Sequence, residues 1–514
     1  MADAEQKTAE QKTEAAPDRA TDSAGAPESE GTLATSVEKP ADAPKSAESV
    51  VDASVESAAE DHPKPKKRRD GHLYQIDFVR LFTFGSVILD HVILQLATSA
   101  DVAAHGLGLL FRYTRYCFFA LTGFVLTYQY RNRDLHAPTF WRRRYKLIGL
   151  PFVAWTLFYW GKRHFEYGGV NGIVELFTDP STGLLALKSL VYELITGDAA
   201  YHLYFLSVSM QIYLVFPLVL WVIKRTWGYH RYILAASLAF HLWLLFHMVR
   251  PPLAIFQISP LDKLWAHMSI TLLPYQFFIL AGCLAAYHFD AFARTMRRYR
   301  APLVVISLIA IVVTLIYYVA IVDSDGPGPV TGEEMFRATN VFMVHNSFAL
   351  VGIIIILYIC GTIWQDRRRN GSLADNVMRV AADRSFGIYL AHVAALSAVV
   401  VTSRGLLDDI PLWLNITVTY LVTVIVTVYW VEALRRSPIS LITTGRERIN
   451  WRIQQWTRSA VVGVVGAAVG LTIYATFNEP LGVLVTGISA LLLLSAAVVA
   501  VKQAKAARTA EVAA

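Results

Sequence analysis

Three polar residues interrupt the otherwise apolar stretch "FVRLFTFGSVILDHV" (78–92): Arg80, Asp90 and His91. A charged side chain at membrane depth costs at least a few kcal/mol unless it faces protein or a water-filled cavity, so such residues read first as functional. Arg80 and His91 stand eleven positions apart, three helical turns plus roughly 20°, which puts both side chains on one face roughly 16 Å apart along the axis. Histidine titrates near neutral pH and is the usual base for taking a proton from an alcohol. Arginine holds phosphate bidentately. Asp90 precedes His91, so its side chain points about 100° away and is not assumed to orient the imidazole. A blander reading stays open, with Arg80 reaching toward lipid head groups and His91 making an interhelical hydrogen bond.

The elements that must position these residues are membrane helices. Of 514 residues, 54% are hydrophobic and 17% charged, with mean hydropathy +0.41, a composition far from that of a soluble domain. The net charge of +7 resides mostly in short basic runs between apolar segments, where topology signals belong, and nucleic acid is therefore set aside. Cys117, Cys283 and Cys360 lie inside apolar segments without metal-ligand spacing, so neither a metal nor a disulfide framework is expected. Residues 1–62 carry 15 acidic and 5 basic residues with almost no aromatics, the composition of a disordered tail. Apolar runs of spanning length occur near 75–98, 109–130, 147–162, 203–223, 232–248, 268–288, 302–322, 341–363, 385–402, 411–433, 459–477 and 480–501. With the amino terminus inside, the predicted cytoplasmic segments hold 32 Lys and Arg and the external loops 7, an asymmetry that favours both termini in the cytoplasm. The expected fold is all-α: a disordered tail (1–70), a ten-helix membrane bundle (71–446), then two additional transmembrane helices with a short tail (447–514). The external segments 163–200 and 322–340 are the ones expected to shape an acceptor site.

Several segments in order resemble acyltransferase family 3, integral-membrane enzymes that acylate cell-envelope carbohydrates and glycolipids. The Arg, ten residues, then His of the first span is similar to the family's signature. "FFALTGFVLTYQY" (118–130), "FWRRRYKLIGLPFVAW" (140–155), "YHLYFLSVSMQIYLVFPLV" (201–219), "FILAGCLAAY" (278–287) and "RSFGIYLAHV" (384–393) resemble its later segments, and together they cover about 72–446. Departures are visible. Thr122 stands where a serine is usual, Ser209 and Met210 occupy the region of a glutamate found in one branch, and Leu147 takes one expected basic position.

The resemblance implies O-acyl transfer of an acetyl or succinyl group from cytoplasmic acyl-CoA, a co-substrate rather than a bound cofactor, to an envelope glycan or glycolipid outside the plasma membrane. His91 is the expected base or acyl relay, with Arg80 and Asp90 grouped with it. Arg80 and the basic cluster Arg142, Arg143, Arg144 and Lys146 would hold the donor, although a cytoplasmic turn is basic for topology alone. Arg112 and Arg115 near the level of His91 would meet the acceptor or stabilise an oxyanion, and His202 and Tyr204 at the start of the fourth span and His392 in the ninth would meet the acceptor; an interfacial anchor or a hydrogen-bonded core histidine is the alternative. Glu432, followed by Arg435 and Arg436, reads as a helix-end ion pair. A transporter or flippase for a polysaccharide or glycolipid is the competing function, weakened because no inverted repeat is visible. A membrane sensor or scaffold would not need the Arg–His face.

Overall fold

A computed structural model describes residues 72–325 and 329–513; the expected tail (1–70) lies outside them. Among the described residues each apolar run forms a helix and none forms a strand. In chain order these helices are α1 (Tyr74–Leu96), α2 (Tyr113–Tyr130), α3 (Leu150–Thr178), α4 (Tyr204–Arg225), α5 (His230–Met248), α6 (Gln276–Tyr287), α7 (Arg300–Val322), α8 (Asn346–Arg367), α9 (Leu373–Ser403), α10 (Leu412–Arg436), α11 (Trp456–Phe477) and α12 (Pro480–Ala513). By length and composition nine helices among the described residues can cross a membrane, and a tenth when Leu273–Tyr287 and Phe289–Arg298, bent by 97°, count as one span. The protein is a polytopic helical membrane protein. α2 and α3 fall outside that set because tyrosines, threonines and charged residues dilute their apolar runs; these are helices that wall the chambers described below.

Three runs are not the single straight spans their hydropathy suggests. The second breaks at Arg112, between a short helix Val102–Phe111 and α2. The third continues well beyond residue 162 to Thr178, interrupted at Gly169, whose φ of 58° no helix interior accommodates. The sixth opens with two short turns, Met268–Ile270 and Leu273–Tyr275, before α6; Pro274 has no N–H for a preceding helical turn.

α9 lies at the centre, with 83% of its most apolar window buried, whereas the corresponding share is 11% for α11 and 17% for α5 and α7. Small residues in "LAHVAALSA" (390–398) allow neighbours to approach that closely, and α1 packs on α8, α9 and α10. α2 crosses α6 at backbone contact. A Cβ on Gly282 would collide with the Ala120 carbonyl and one on Gly123 with the Ile279 carbonyl, so the glycines of the two motifs "LTGF" and "LAGC" seat against one another. α11 and α12 are joined by Asn478 in the left-handed conformation (φ 54°) followed by Pro480. α12 lodges against α9 and α10: Leu481, Val485, Ile488 and Leu492 enter the same core as Val426 and Trp430, and Tyr429 hydrogen-bonds Ser489 at 2.9 Å.

Candidate active site

α1 carries its two unusual residues into two different chambers. Arg80 lines a cavity of about 800 Å³, and His91 lines one of about 570 Å³. The eleven-residue spacing thus separates two levels of the bundle, and neither side chain is left in lipid.

The Arg80 chamber is strongly cationic. Arg80, Arg143, Arg144, Lys146, Arg435 and Arg446 line it, against Asp383 and Glu447. Arg80 is 3.6 Å from Asp77 one turn earlier, and Arg144 donates to Gln129 at 2.7 Å. The basic turn is positioned by a short helix, Ala137–Arg144, that passes through a five-residue π-helical segment into α3; the wider turn rotates successive side chains away from simple α-helical spacing. Of the basic cluster, Arg142 is exposed and does not line the cavity. Asp383, Arg446 and Glu447 had no sequence signal, and Arg435 reads from sequence only as part of a helix-end ion pair. Asp383 sits one residue before the "RSFGIYL" motif, and its partners Arg435 (3.1 Å) and Arg446 (3.7 Å) come from the far end of the bundle sequence. Glu432 pairs with Arg436 in its own helix and with Arg384 of α9 at 3.1 Å, so the expected helix-end pair also ties α10 to α9.

The His91 chamber brings together residues from six parts of the chain: Asp90 and His91 from α1, Arg112 and Arg115 flanking the α2 start, Tyr201, His202 and Tyr204 around the start of α4, and Ser269 and Ile270 ahead of α6. Phe336, Asn340, Val341 and Phe342 from the segment after α7 complete the wall, with Tyr389 from α9. Both segments singled out as acceptor-shaping, 163–200 and 322–340, supply lining residues, Gly197 and Asp198 from the first and Phe336 and Asn340 from the second. Arg112 donates to the Thr339 carbonyl. Arg115 lies over the Tyr204 ring at 5.1 Å and the Phe342 ring at 5.6 Å, and no acidic side chain among the described residues pairs with it within 4.0 Å. Besides a hydrogen bond to Tyr275, a guanidinium stacked on two rings without a carboxylate has further donors to offer a ligand.

His91 packs edge-on against Tyr201 at 4.7 Å and stacks on His392 at 5.3 Å, with His202 a further 5.1 Å beyond His392. His392 does not line the chamber; it stands behind His91 and His202. Its Nδ1 lies 2.6 Å from the Tyr389 carbonyl, an acceptor only, so Nδ1 carries the proton and Nε2 the lone pair. His392 Nε2, His91 Nδ1, both ring nitrogens of His202 and Asp90 Oδ1 are buried with no hydrogen-bond partner. Such a concentration of unsatisfied polar atoms around one cavity is a cost a protein bears where a substrate will supply the partners. Asp90 and His91 share the chamber without a hydrogen bond between them, as their divergence on α1 requires, and Asp90 feels the charges of Arg112 and Arg115. Among the described residues no group of three His, Cys, Asp or Glu side chains is arranged to hold a metal ion.

Fold and site together define a helical, polytopic membrane protein in which one helix connects a cationic chamber to a histidine-bearing one. An acyltransferase domain, the acyltransferase family 3 model, matches residues 73–431. The chain belongs to this family and is a membrane acyltransferase. The match ends within α10, leaving α11 and α12 beyond it. No curated protein and no solved structure matches the chain.

Proposed function

We propose that the protein moves an acyl group, acetyl or succinyl, from cytoplasmic acyl-CoA to a hydroxyl of an extracytoplasmic envelope glycan or glycolipid. The observation that carries this reading is the division of α1: Arg80 opens into a chamber lined by six cationic side chains, and His91 into a second chamber rich in unpartnered polar atoms. The nucleotide phosphates of coenzyme A suit Arg80, Arg143, Arg144 and Lys146. The basic-residue asymmetry supports placing that chamber on the cytoplasmic face of the plasma membrane, with both termini inside. The acceptor hydroxyl enters the His91 chamber, where Tyr201, His202 and Tyr204 offer rings and donors to a sugar.

His91 takes the hydroxyl proton as oxygen attacks the thioester carbonyl; the carbon–sulfur bond breaks, and the thiolate leaves with the proton relinquished by the imidazolium. The products are an O-acyl ester and free coenzyme A thiol. Arg115, stacked on two rings and without a carboxylate partner, stabilises the oxyanion in this scheme. The test is transfer from labelled acetyl-CoA and succinyl-CoA by purified protein in proteoliposomes. It is joined to a mass-spectrometric comparison of envelope glycans and glycolipids between a deletion strain and its parent. Loss of one acyl mass from one acceptor supports the reading; no transfer or hydrolysis of any acyl-CoA refutes it.

A further inference from the structure

The two chambers have only two lining residues in common, Phe118 of α2 and Phe205 of α4. Their rings face each other at 5.2 Å. Phe84 of α1 packs on Phe118 at 4.6 Å, and Tyr389 of α9 closes the cluster at 5.9 Å from Phe118 and 5.5 Å from Phe205. Four helices therefore contribute one ring each to a wall between the donor side and His91.

The four rings are not equally held. Tyr389 is tethered through its hydroxyl to the His202 carbonyl. Phe118 and Phe205 have no polar handle, and each borders open volume on both sides. Phe118 and Phe205, the latter also stacked on Phe119 at 4.7 Å, are held by apolar contacts alone, so a rotamer change toward either cavity breaks no hydrogen bond. We infer that Phe118 and Phe205 form a movable partition between the Arg80 and His91 chambers, displaced by the thioester arm of the donor, and that their bulk sets the largest acyl group delivered to His91. This rests on the transfer reading above. Closed, the rings keep water and protons from passing between chambers that open on opposite sides; open, they admit only an acyl group slim enough to pass.

The consequence is selectivity by chain length. One methylene in an apolar passage is discriminated by roughly 10- to 200-fold. In proteoliposomes supplied with acetyl-, butyryl- and benzoyl-CoA, Phe118→Ala and Phe205→Ala are each expected to raise the kcat/KM ratio of butyryl to acetyl donor by at least about tenfold. Hydrolysis of acyl-CoA without acceptor should rise in both. Phe118→Trp is expected to move the ratio the other way. Phe118→Leu and Phe205→Leu, which keep an apolar side chain of intermediate size, give the same measurement if an alanine variant does not fold, with a smaller rise expected. Folded variants that transfer acetyl with an unchanged donor ratio and unchanged hydrolysis overturn the partition while leaving the transfer reading intact. Absence of transfer from every donor by the unsubstituted protein removes that reading, and the partition with it.

Discussion

Replacing His91 separates chemistry from folding more cleanly than any other substitution in this protein. In His91→Ala the ring loses its edge contact with Tyr201 and its stack on His392. At about 0.5–1.5 kcal/mol per ring pair, that is about 1–3 kcal/mol of stability. Its Nδ1 has no partner to lose, and the vacated space merges with a chamber of about 570 Å³ that is already open, so no new sealed cavity forms. His91→Gln keeps most of the volume and should cost less. The kinetic loss is larger: removing a general base costs about 10²- to 10⁴-fold, equivalent to roughly 3–5.5 kcal/mol in the barrier. Asp90→Asn removes no hydrogen bond at Oδ1 and should slow transfer by less than about tenfold, roughly 1.4 kcal/mol. The assay is acyl transfer from labelled acyl-CoA by purified variants, alongside their thermal unfolding in detergent. Transfer at the unsubstituted rate in a stably folded His91→Ala protein would refute the base assignment. Equal losses in Asp90→Asn and His91→Ala would instead show that the two act as a unit despite their separation on α1.

At the donor end, Arg80→Ala should raise the KM for acyl-CoA far more than it lowers kcat, and Arg80→Lys should recover only part of the loss, because an ammonium cannot reproduce the two-pronged contact; an unchanged KM in Arg80→Ala would remove Arg80 from donor binding and leave it as the partner of Asp77. Topology can be read with single cysteines at exposed positions. Those replacing Leu185 and Ser324 should react with an impermeant thiol reagent on intact cells, while those replacing Thr139 and Leu373 should react only after permeabilisation, and labelling at Thr139 from outside would reverse the proposed donor side. In the fold, Gly282→Val should drive α2 from α6 at the Ala120 carbonyl and destabilise the protein by about 1–3 kcal/mol or more, as overpacking does; an unchanged melting temperature in detergent would show that the helices separate freely there.

The primary sequence by itself determined that the chain is built of apolar helices and that Arg80 and His91 stand three turns apart on the first of them. Spanning length is fixed by apolar run length, and a shared helix face by residue spacing, both of which are local properties. The same locality made the divergence of Asp90 from His91 readable. What depends on contact between distant segments was not readable. Asp383 acquires its role from Arg435 and Arg446, which the crossing of α9 and α10 and the turn after α10 bring beside it. His392 was expected to meet the acceptor; the packing of α9 at the centre puts it behind His91 and His202 instead, with its Nδ1 committed to a backbone carbonyl. Arg142 lies in the same basic run as Arg143 and Arg144 but does not line the chamber, because successive residues of the helix Ala137–Arg144 point about 100° apart and only packing decides which of them faces the cavity. Phe118 and Phe205 look like any other aromatic residues of a membrane helix until α2 and α4 meet, and only that meeting leaves empty volume on both sides of their rings.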